Sequence, residues 1–226
     1  YAPLGTLEIH HRNSEKFEKY YRELDVSTAV SKVNYSVNGV NFTREYFVSA
    51  PDKILVIKLI SSKKGALNFT LNTNSLLNFK TVIEGNIFKM NGRAPIHENA
   101  GYEVPSEYLK QKERGTRFTS LVKIKNTDGS IISEADKIGV KNATEAIIFV
   151  SVATSFNGFD KNPETEGLND EKIAEVNLNN AFKKSYQTLK ASHIKDYQKF
   201  YNRVSLNFGE TTAPNLPTNE RLLRYA

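Results

Sequence analysis

Asn38-Gly39 is the feature that most constrains the fold of this chain, because it separates two runs in which apolar and polar residues alternate. The apolar positions are Val33, Tyr35 and Val37 before the pair and Val40 and Phe42 after it. Both central residues of a type I′ turn need positive φ, a backbone that Asn-Gly adopts at low cost. The sequence therefore predicts a β-hairpin whose turn is Asn38-Gly39.

Similar patterns predict further strands along the first part of the chain. Segment 53–60, KILVIKLI, has apolar residues at both odd and even positions, which is typical of a central strand covered on two faces. Other strands are predicted at 7–9, 67–71, 118–124, 131–138 and 146–153. About nine or ten short strands, with a turn roughly every 8–12 residues, predict an antiparallel β-sandwich of two packed sheets.

The last third of the chain has a different period. From Leu178 to Tyr201 apolar residues recur every three or four positions, which predicts one long helix or two helices broken near Ala191-Ser192. We expect this helical segment, 171–202, to lie outside the two sheets. A closing strand is predicted at 204–208, where alternation resumes before Gly209.

The expected architecture is therefore mainly β, with a C-terminal helical segment and one closing strand. The sandwich domain is predicted over 1–209, including the helical segment. Residues 210–226 are predicted to be a linker and the start of a helix, with Thr218 as its N-cap. If the sheets leave part of the helical apolar stripe uncovered, that surface should be where a further domain docks.

Charge and composition exclude several classes of protein. Lys and Arg total 31 against 25 Asp and Glu, which gives a net charge of +6, but the basic residues are not gathered. No nucleic-acid partner is expected, because the densest group is interrupted by Glu113, and we interpret it as a solvated loop rather than a phosphate-binding patch. That group is Lys110, Lys112, Arg114 and Arg117.

No apolar run approaches the roughly 20 residues of a membrane span, and no signal peptide is recognisable within the sequence. The absence of Cys excludes disulfides, thiolate nucleophiles and cysteine metal sites.

The remaining chemistry-bearing residues indicate no metal, cofactor or catalytic site. His10 and His11 are adjacent in a predicted strand and so point to opposite faces, which rules out a two-histidine metal edge. His193 lies on or beside the helical apolar stripe and is interpreted as a packed histidine. A glycosidase needs two carboxyl groups across a sugar, but spacing in the sequence cannot place such a pair, so no catalytic residue is assigned.

The loop 91–102, NGRAPIHENAGY, is the most distinctive stretch of the chain. It gathers Arg93, His97, Glu98 and Tyr102, a mixture suited to hydrogen-bonding hydroxyl groups and stacking on a sugar or peptide. An ordinary polar surface loop is an equally good interpretation of the same residues.

Several segments, taken in order, resemble the N-terminal β-sandwich domain of glycoside hydrolase family 95, the inverting α-L-fucosidases. They are YAPLGTLEI at 1–9, YYRELDVSTAVSKVNYSVNGVNFTREYFVSAPDKILVIKL at 20–59, ATSFNGF at 153–159, HIKDYQKFYNRVSLNFG at 193–209 and LPTNERL at 216–222. The resemblance implies that a large (α/α)6 barrel carrying the catalytic acid and base lies outside this chain. This piece is then expected to be inactive alone.

The resemblance further implies hydrolysis of terminal α-1,2-linked L-fucose by the parent enzyme, with inversion, no cofactor and a fucosylated glycan as substrate. Such enzymes are commonly exported, so a periplasmic or extracellular location is expected. By the same resemblance a sandwich loop can form part of the substrate cleft, and Arg93, His97 and Tyr102 are the candidates for that role. The alternative is a free-standing carbohydrate-binding β-sandwich module, against which the absence of Trp argues.

Overall fold

The computed structural model describes residues 3–11, 16–95, 115–134, 136–207, 209 and 216–225. Within these ranges it contains twelve strands and three helices. The strands are β1 (Thr6–His11), β2 (Glu18–Asp25), β3 (Val30–Val37), β4 (Val40–Ser49), β5 (Ile54–Ser61), β6 (Leu67–Asn74), β7 (Asn78–Glu84), β8 (Ile87–Arg93), β9 (Arg117–Asn126), β10 (Ser130–Glu134), β11 (Lys137–Ala143) and β12 (Glu145–Thr154). The helices are α1 (Asp170–Phe182), α2 (Tyr186–Tyr201) and α3 (Thr218–Tyr225).

The strands form two antiparallel sheets of unequal width. The larger has eight strands in the order β2-β3-β4-β5-β12-β9-β8-β7, and the smaller has four in the order β1-β6-β11-β10. Consecutive strands mostly pair with each other, but the chain crosses between the sheets after β1, β5, β6, β9 and β11. The predicted β-sandwich is confirmed.

Two of the local predictions are confirmed in detail. The β3–β4 hairpin turns at Asn38-Gly39, whose φ angles are +51° and +75°, as a type I′ turn requires. Strand β5 pairs with β4 on one side and β12 on the other, and its residues contribute to the apolar clusters on both faces of the large sheet. It is a central strand because both its odd and even positions are apolar.

The two faces of the large sheet bury separate apolar clusters. The inner cluster lies between the sheets and contains Phe69, Leu71 and Ile138 from the small sheet with Leu59 and Ile148 from the large one. The outer cluster lies between the large sheet and the helices, as expected for a helical segment outside the sandwich. Its helical members include Ala174 and Leu178 of α1 and Leu189 of α2. Helix α1 packs on β12, β9 and β5, and α2 packs on β4.

The helical segment breaks at 183–185, so the predicted break near Ala191-Ser192 is wrong. Ser185 is the N-cap of α2, because its side chain accepts a hydrogen bond from the Thr188 backbone N–H at 3.1 Å. An unbroken helix is disfavoured there because the Ser185 backbone is extended, with ψ of 157°.

The predicted closing strand and the predicted strand 131–138 are also corrected. Residues 204–207 form no strand, and Val204 and Leu206 are 80% and 75% exposed, so their alternation reflects no sheet face. Segment 131–138 holds a hairpin instead, since β10 ends at Glu134 and β11 begins at Lys137. The first three residues of the predicted loop 91–102 lie in strand β8 instead, since β8 extends to Arg93.

Candidate functional site

Arg93 is the one predicted site residue within the described part of the chain, and it lies at the end of β8. It pairs in register with Asn78 of β7 and Arg117 of β9. The Ala94 N–H donates to the Thr116 carbonyl oxygen at 2.9 Å, so the chain leaves the sheet and returns to it at the same point. His97 and Tyr102 lie between these two positions and outside the described residues.

A second loop, 155–169, begins at the same end of the sheet. Its base is closed by the Leu168 N–H, which donates to the Ser155 carbonyl oxygen at 3.0 Å. Ser155 and Arg117 bond to each other twice: the Ser155 N–H donates to the Arg117 carbonyl at 2.9 Å, and the Arg117 N–H donates to Ser155 Oγ at 2.9 Å. The strand ends of β9 and β12 therefore fix where this loop starts and finishes. We call 91–94, 115–119 and 155–170 together the loop edge.

The Arg117 guanidinium lies at the centre of the loop edge. Nη1 donates to the carbonyl oxygens of Pro163 at 3.2 Å and Glu164 at 3.3 Å, and Nη2 donates to that of Leu168 at 3.3 Å. Nε donates to Asp170 Oδ1 at 3.3 Å. A guanidinium has five donors in a planar fork, and here they bind three loop carbonyls and one carboxylate.

Asp170 connects this arrangement to the sheet. It is the first residue of α1, where the partial positive charge of the helix N-terminus favours a carboxylate, and it is 7% exposed. Thr119 Oγ1 donates to Asp170 Oδ2 at 2.7 Å, and Asn91 Nδ2 donates to Thr119 Oγ1 at 2.8 Å. The buried carboxylate therefore has partners on both oxygens, as burial of a charge requires.

Arg93 joins the two loops through an ion pair between its Nη1 and the Glu164 carboxylate. The Arg93 side chain is 22% exposed and that of Glu164 36%. Beside this charged cluster, the same loop presents two apolar rings to solvent: Phe156 is 58% exposed and Phe159 98%. The loop edge thus combines fixed hydrogen-bond donors with exposed aromatic surface, a combination that suits binding of a hydroxyl-rich ligand.

The other histidines lie as expected. His10 is exposed with Nε2 2.6 Å from Asn72 Oδ1, whereas His11 turns into the sandwich towards the Phe69 ring, 6.1 Å away between centroids. Burial, together with the charges of Arg44 and His10, lowers the pKa of His11 to about 4. His193 is 6% exposed and donates from Nε2 to the Thr28 carbonyl oxygen at 3.0 Å, so the prediction of a packed histidine is confirmed.

No group of three or more metal-ligating side chains lies together within the described ranges. Over the same ranges, no helix is long and apolar enough to cross a bilayer.

The sequence interpretation of Arg117 as part of a solvated loop is wrong. Arg117 lies in β9, and all three nitrogens of its guanidinium donate hydrogen bonds, whereas Lys110, Lys112 and Arg114 lie outside the described residues. Glu164 and Asp170 were not recognised as site residues at all. Asp170 had a usable signal, an acidic residue opening an amphipathic segment, but the partners of Arg117 are about 46 to 53 positions away and give no local pattern.

Comparisons with known proteins identify two family models and a solved structure that this chain resembles. The model of the glycosyl hydrolase family 65 N-terminal domain matches residues 1–158, and that of the glycosyl hydrolase family 95 catalytic domain matches residues 185–226. A solved structure described as a kojibiose phosphorylase from the human microbiome shares the fold, with a TM-score of 0.55 and 13% identity over 88% of this chain and 28% of that one.

The similar curated proteins are fucosidases by name. Alpha-L-fucosidase 2 of Arabidopsis thaliana is 30% identical over the whole chain, and probable alpha-fucosidase A of Aspergillus niger is 25% identical over the whole chain. This chain spans 29% and 28% of their respective lengths.

The architecture and these matches define an antiparallel β-sandwich domain of a glycoside hydrolase. The chain belongs to the glycosyl hydrolase family 65 N-terminal domain family, because that model matches more than half of it. The resemblance to the family 95 sandwich is confirmed by the second match and by the named fucosidases.

Proposed function

We propose that this chain is the non-catalytic N-terminal sandwich domain of an enzyme that removes terminal α-1,2-linked L-fucose from glycans with inversion. One observation carries the proposal: a sandwich domain and a match to the family 95 catalytic domain occur in one chain whose relatives are named alpha-fucosidases. The substrate of the whole enzyme is then a fucosylated glycan, and we expect the enzyme to be exported.

Catalysis in this proposal belongs to an (α/α)6 domain beyond the present chain. Inversion requires a carboxylic acid that protonates the leaving oxygen and a carboxylate that activates water on the opposite face of the sugar. We assign neither group to this chain. The reaction needs no cofactor, since both roles are proton transfers by carboxyl groups.

The proposed domains are the sandwich with its helical segment over 1–209 and the linker with the first helix of the next domain over 210–226. The family 95 match begins at 185 and therefore takes in α2 as well as α3. The end of α2 leaves Phe200 62% and Tyr201 41% exposed. We propose that this uncovered end of the helical stripe is where the catalytic domain docks.

The role we propose for the loop edge is to form one wall of the substrate cleft. The proposed contacts are Arg93 of the loop edge together with His97 and Tyr102 of the predicted loop 91–102. Arg93 and His97 would donate to sugar hydroxyls, and Tyr102 would offer an apolar face. The fixed position of Arg93 supports this proposal, because a donor held by an ion pair and by strand pairing loses little entropy when it binds a ligand.

The direct test compares the full-length gene product with this chain alone on an α-1,2-fucosylated oligosaccharide. NMR should show β-L-fucose as the first product of the full-length enzyme, and the isolated chain should release no fucose. In the full-length enzyme Arg93→Ala should raise KM. Release of α-L-fucose, or activity of the isolated chain, would contradict the proposal. Calorimetric titration of the isolated chain tests the alternative, since saturable sugar binding favours a carbohydrate-binding module.

A further inference from the structure

We infer that Arg117 is a positioning residue for the proposed substrate cleft, which places Arg93 by holding Glu164 and loop 155–169 against the end of the large sheet. The inference rests on the proposed function, because it concerns the same loop edge. It assigns a role to a residue in β9 whose side chain is 30% exposed and whose partners all lie in this chain.

Loop 155–169 depends on Arg117 for its conformation. Most residues of this loop are exposed, so it has little apolar burial to fix its conformation. Three of its carbonyl oxygens, at Pro163, Glu164 and Leu168, converge on one guanidinium instead. A lysine carries three donors on a single nitrogen and cannot reach carbonyls spread across a planar fork. The loop therefore requires arginine rather than positive charge alone.

Glu164 connects Arg117 to Arg93. Arg117 Nη1 binds the Glu164 carbonyl oxygen at 3.3 Å and lies 3.8 Å from its carboxylate. The same carboxylate is the ion-pair partner of Arg93. Because Arg117 holds the backbone of Glu164 and Arg93 pairs with its carboxylate, a displacement of the loop would withdraw the partner of Arg93.

Lysine at position 117 should leave the sandwich stable. It keeps a positive charge beside the buried Asp170 carboxylate, which also accepts a hydrogen bond from Thr119 Oγ1, and residue 117 is not a member of either apolar cluster. A conservative change at 117 should therefore release the loop while the two sheets stay folded. Local opening of this kind is what amide exchange detects.

The experiment uses Arg117→Lys in the full-length enzyme. Loss of the fork should raise KM about tenfold and leave kcat within about twofold, because binding weakens while the catalytic groups are untouched. Amide exchange at Ser155 and Leu168 should accelerate at least about tenfold, with no change in β5. The matched control is Arg22→Lys on the exposed edge strand β2, which should alter neither quantity.

A double-mutant cycle with Arg93→Ala tests the route through Glu164. If Arg117 acts through Arg93, the Arg117→Lys, Arg93→Ala double variant should have the KM of Arg93→Ala alone rather than the product of both effects. Independent, multiplicative effects on KM would overturn the inference, as would faster loop exchange with an unchanged KM. A wild type that releases no fucose, or an Arg93→Ala variant with a normal KM, contradicts the proposed function and does so without reference to residue 117.

Discussion

The two faces of the large sheet are both apolar at their centres but differ at their rims. On the inner face the small sheet packs by side chains such as Leu71 and Ile138, both fully buried. On the outer face the helices pack by Leu178 and Leu189, and ion pairs surround them. These pairs are Lys89 with Glu171 at 2.6 Å, Asp52 with Lys184 at 2.5 Å and Glu45 with Lys190 at 2.9 Å.

The difference indicates that the helices are a docked layer rather than a third part of the core. Contacts between domains are characteristically more polar than contacts within one. The sandwich match ends at 158 and the catalytic match begins at 185, so α1 lies between the two matches and α2 lies within the second. The outer face of the large sheet therefore packs against helices that the sandwich match does not include.

The largest losses of stability should follow the truncation of a buried ring at the centre of either face, and the two losses should be similar. Phe69 on the inner face and Phe149 on the outer face are 1% and 0% exposed. Replacing either by Ala should lower the free energy of unfolding by about 3–5 kcal/mol, because the ring leaves a cavity in close-packed surroundings. Denaturant unfolding of the isolated chain measures this loss.

Phe159→Ala is the control for both changes. This ring is 98% exposed, so its removal should alter stability by no more than about 0.5 kcal/mol. If Phe149→Ala lowers the free energy of unfolding much less than Phe69→Ala does, the outer cluster contributes less stability than its burial indicates. The centres of the two faces would then not be equivalent.

The inner face should make stability depend on pH below about 6.5, through His11. Its pKa is lowered from 6.5 to about 4 by burial and by the charges of Arg44 and His10. As the pH falls from 6.5 to 4 the unfolded chain takes up a proton that the folded chain resists. Stability should therefore fall over that window, by about 3 kcal/mol at most.

His11→Phe removes this titration and keeps a ring beside Phe69. The stabilities of the variant and the wild type, measured from pH 7.5 down to 4.5, should differ by a constant offset near pH 7.5 and diverge below pH 6.5, as the wild type loses stability faster. Parallel curves over the whole range would show that His11 titrates alike in the folded and unfolded chains.

Local signals were sufficient to predict most of the sandwich. The hairpin at Asn38-Gly39 and the central strand β5 follow from patterns of apolar and polar residues that span only a few neighbouring positions. Strand β2 gave no such signal, because all of its residues are exposed and no face of it is buried. The break before Ser185 had a capping signal that the helical period obscured.

Two features could not be predicted in the same way: the points at which the chain crosses from one sheet to the other, and the contacts of the loop edge. Nothing within β9 or β10 specifies that the chain changes sheet at 127–129, since the choice depends on which neighbours are already paired. Arg93 was a candidate because the sequence around it, 91–102, has a distinctive composition. Arg117 was not a candidate, because its partners include backbone carbonyl oxygens, which every residue has.

The smallest of the predicted losses of stability comes from an ion pair at the rim of the outer face. Asp52 is 2% exposed at its side chain, and Lys184 Nζ and Ser49 Oγ each lie 2.5 Å from one of its oxygens. Burial raises the pKa of this carboxyl, but the bonds from Lys184 and Ser49 outweigh burial and hold it below its usual range. Lys184→Met leaves a buried carboxylate without its cation and should cost about 2 kcal/mol in denaturant unfolding, since the lysine itself is partly exposed.

Two variants decide whether this cost comes from the buried carboxylate. Lys172→Met, in the exposed pair with Glu175 on α1, should change stability by no more than about 0.5 kcal/mol. Asp52→Asn combined with Lys184→Met should recover part of the loss, because removing both charges leaves no ion buried alone. If the double variant is less stable than Lys184→Met, the cost does not come from an unpaired buried carboxylate. Ion pairs at the rim would then not explain how the helices are held on the outer face.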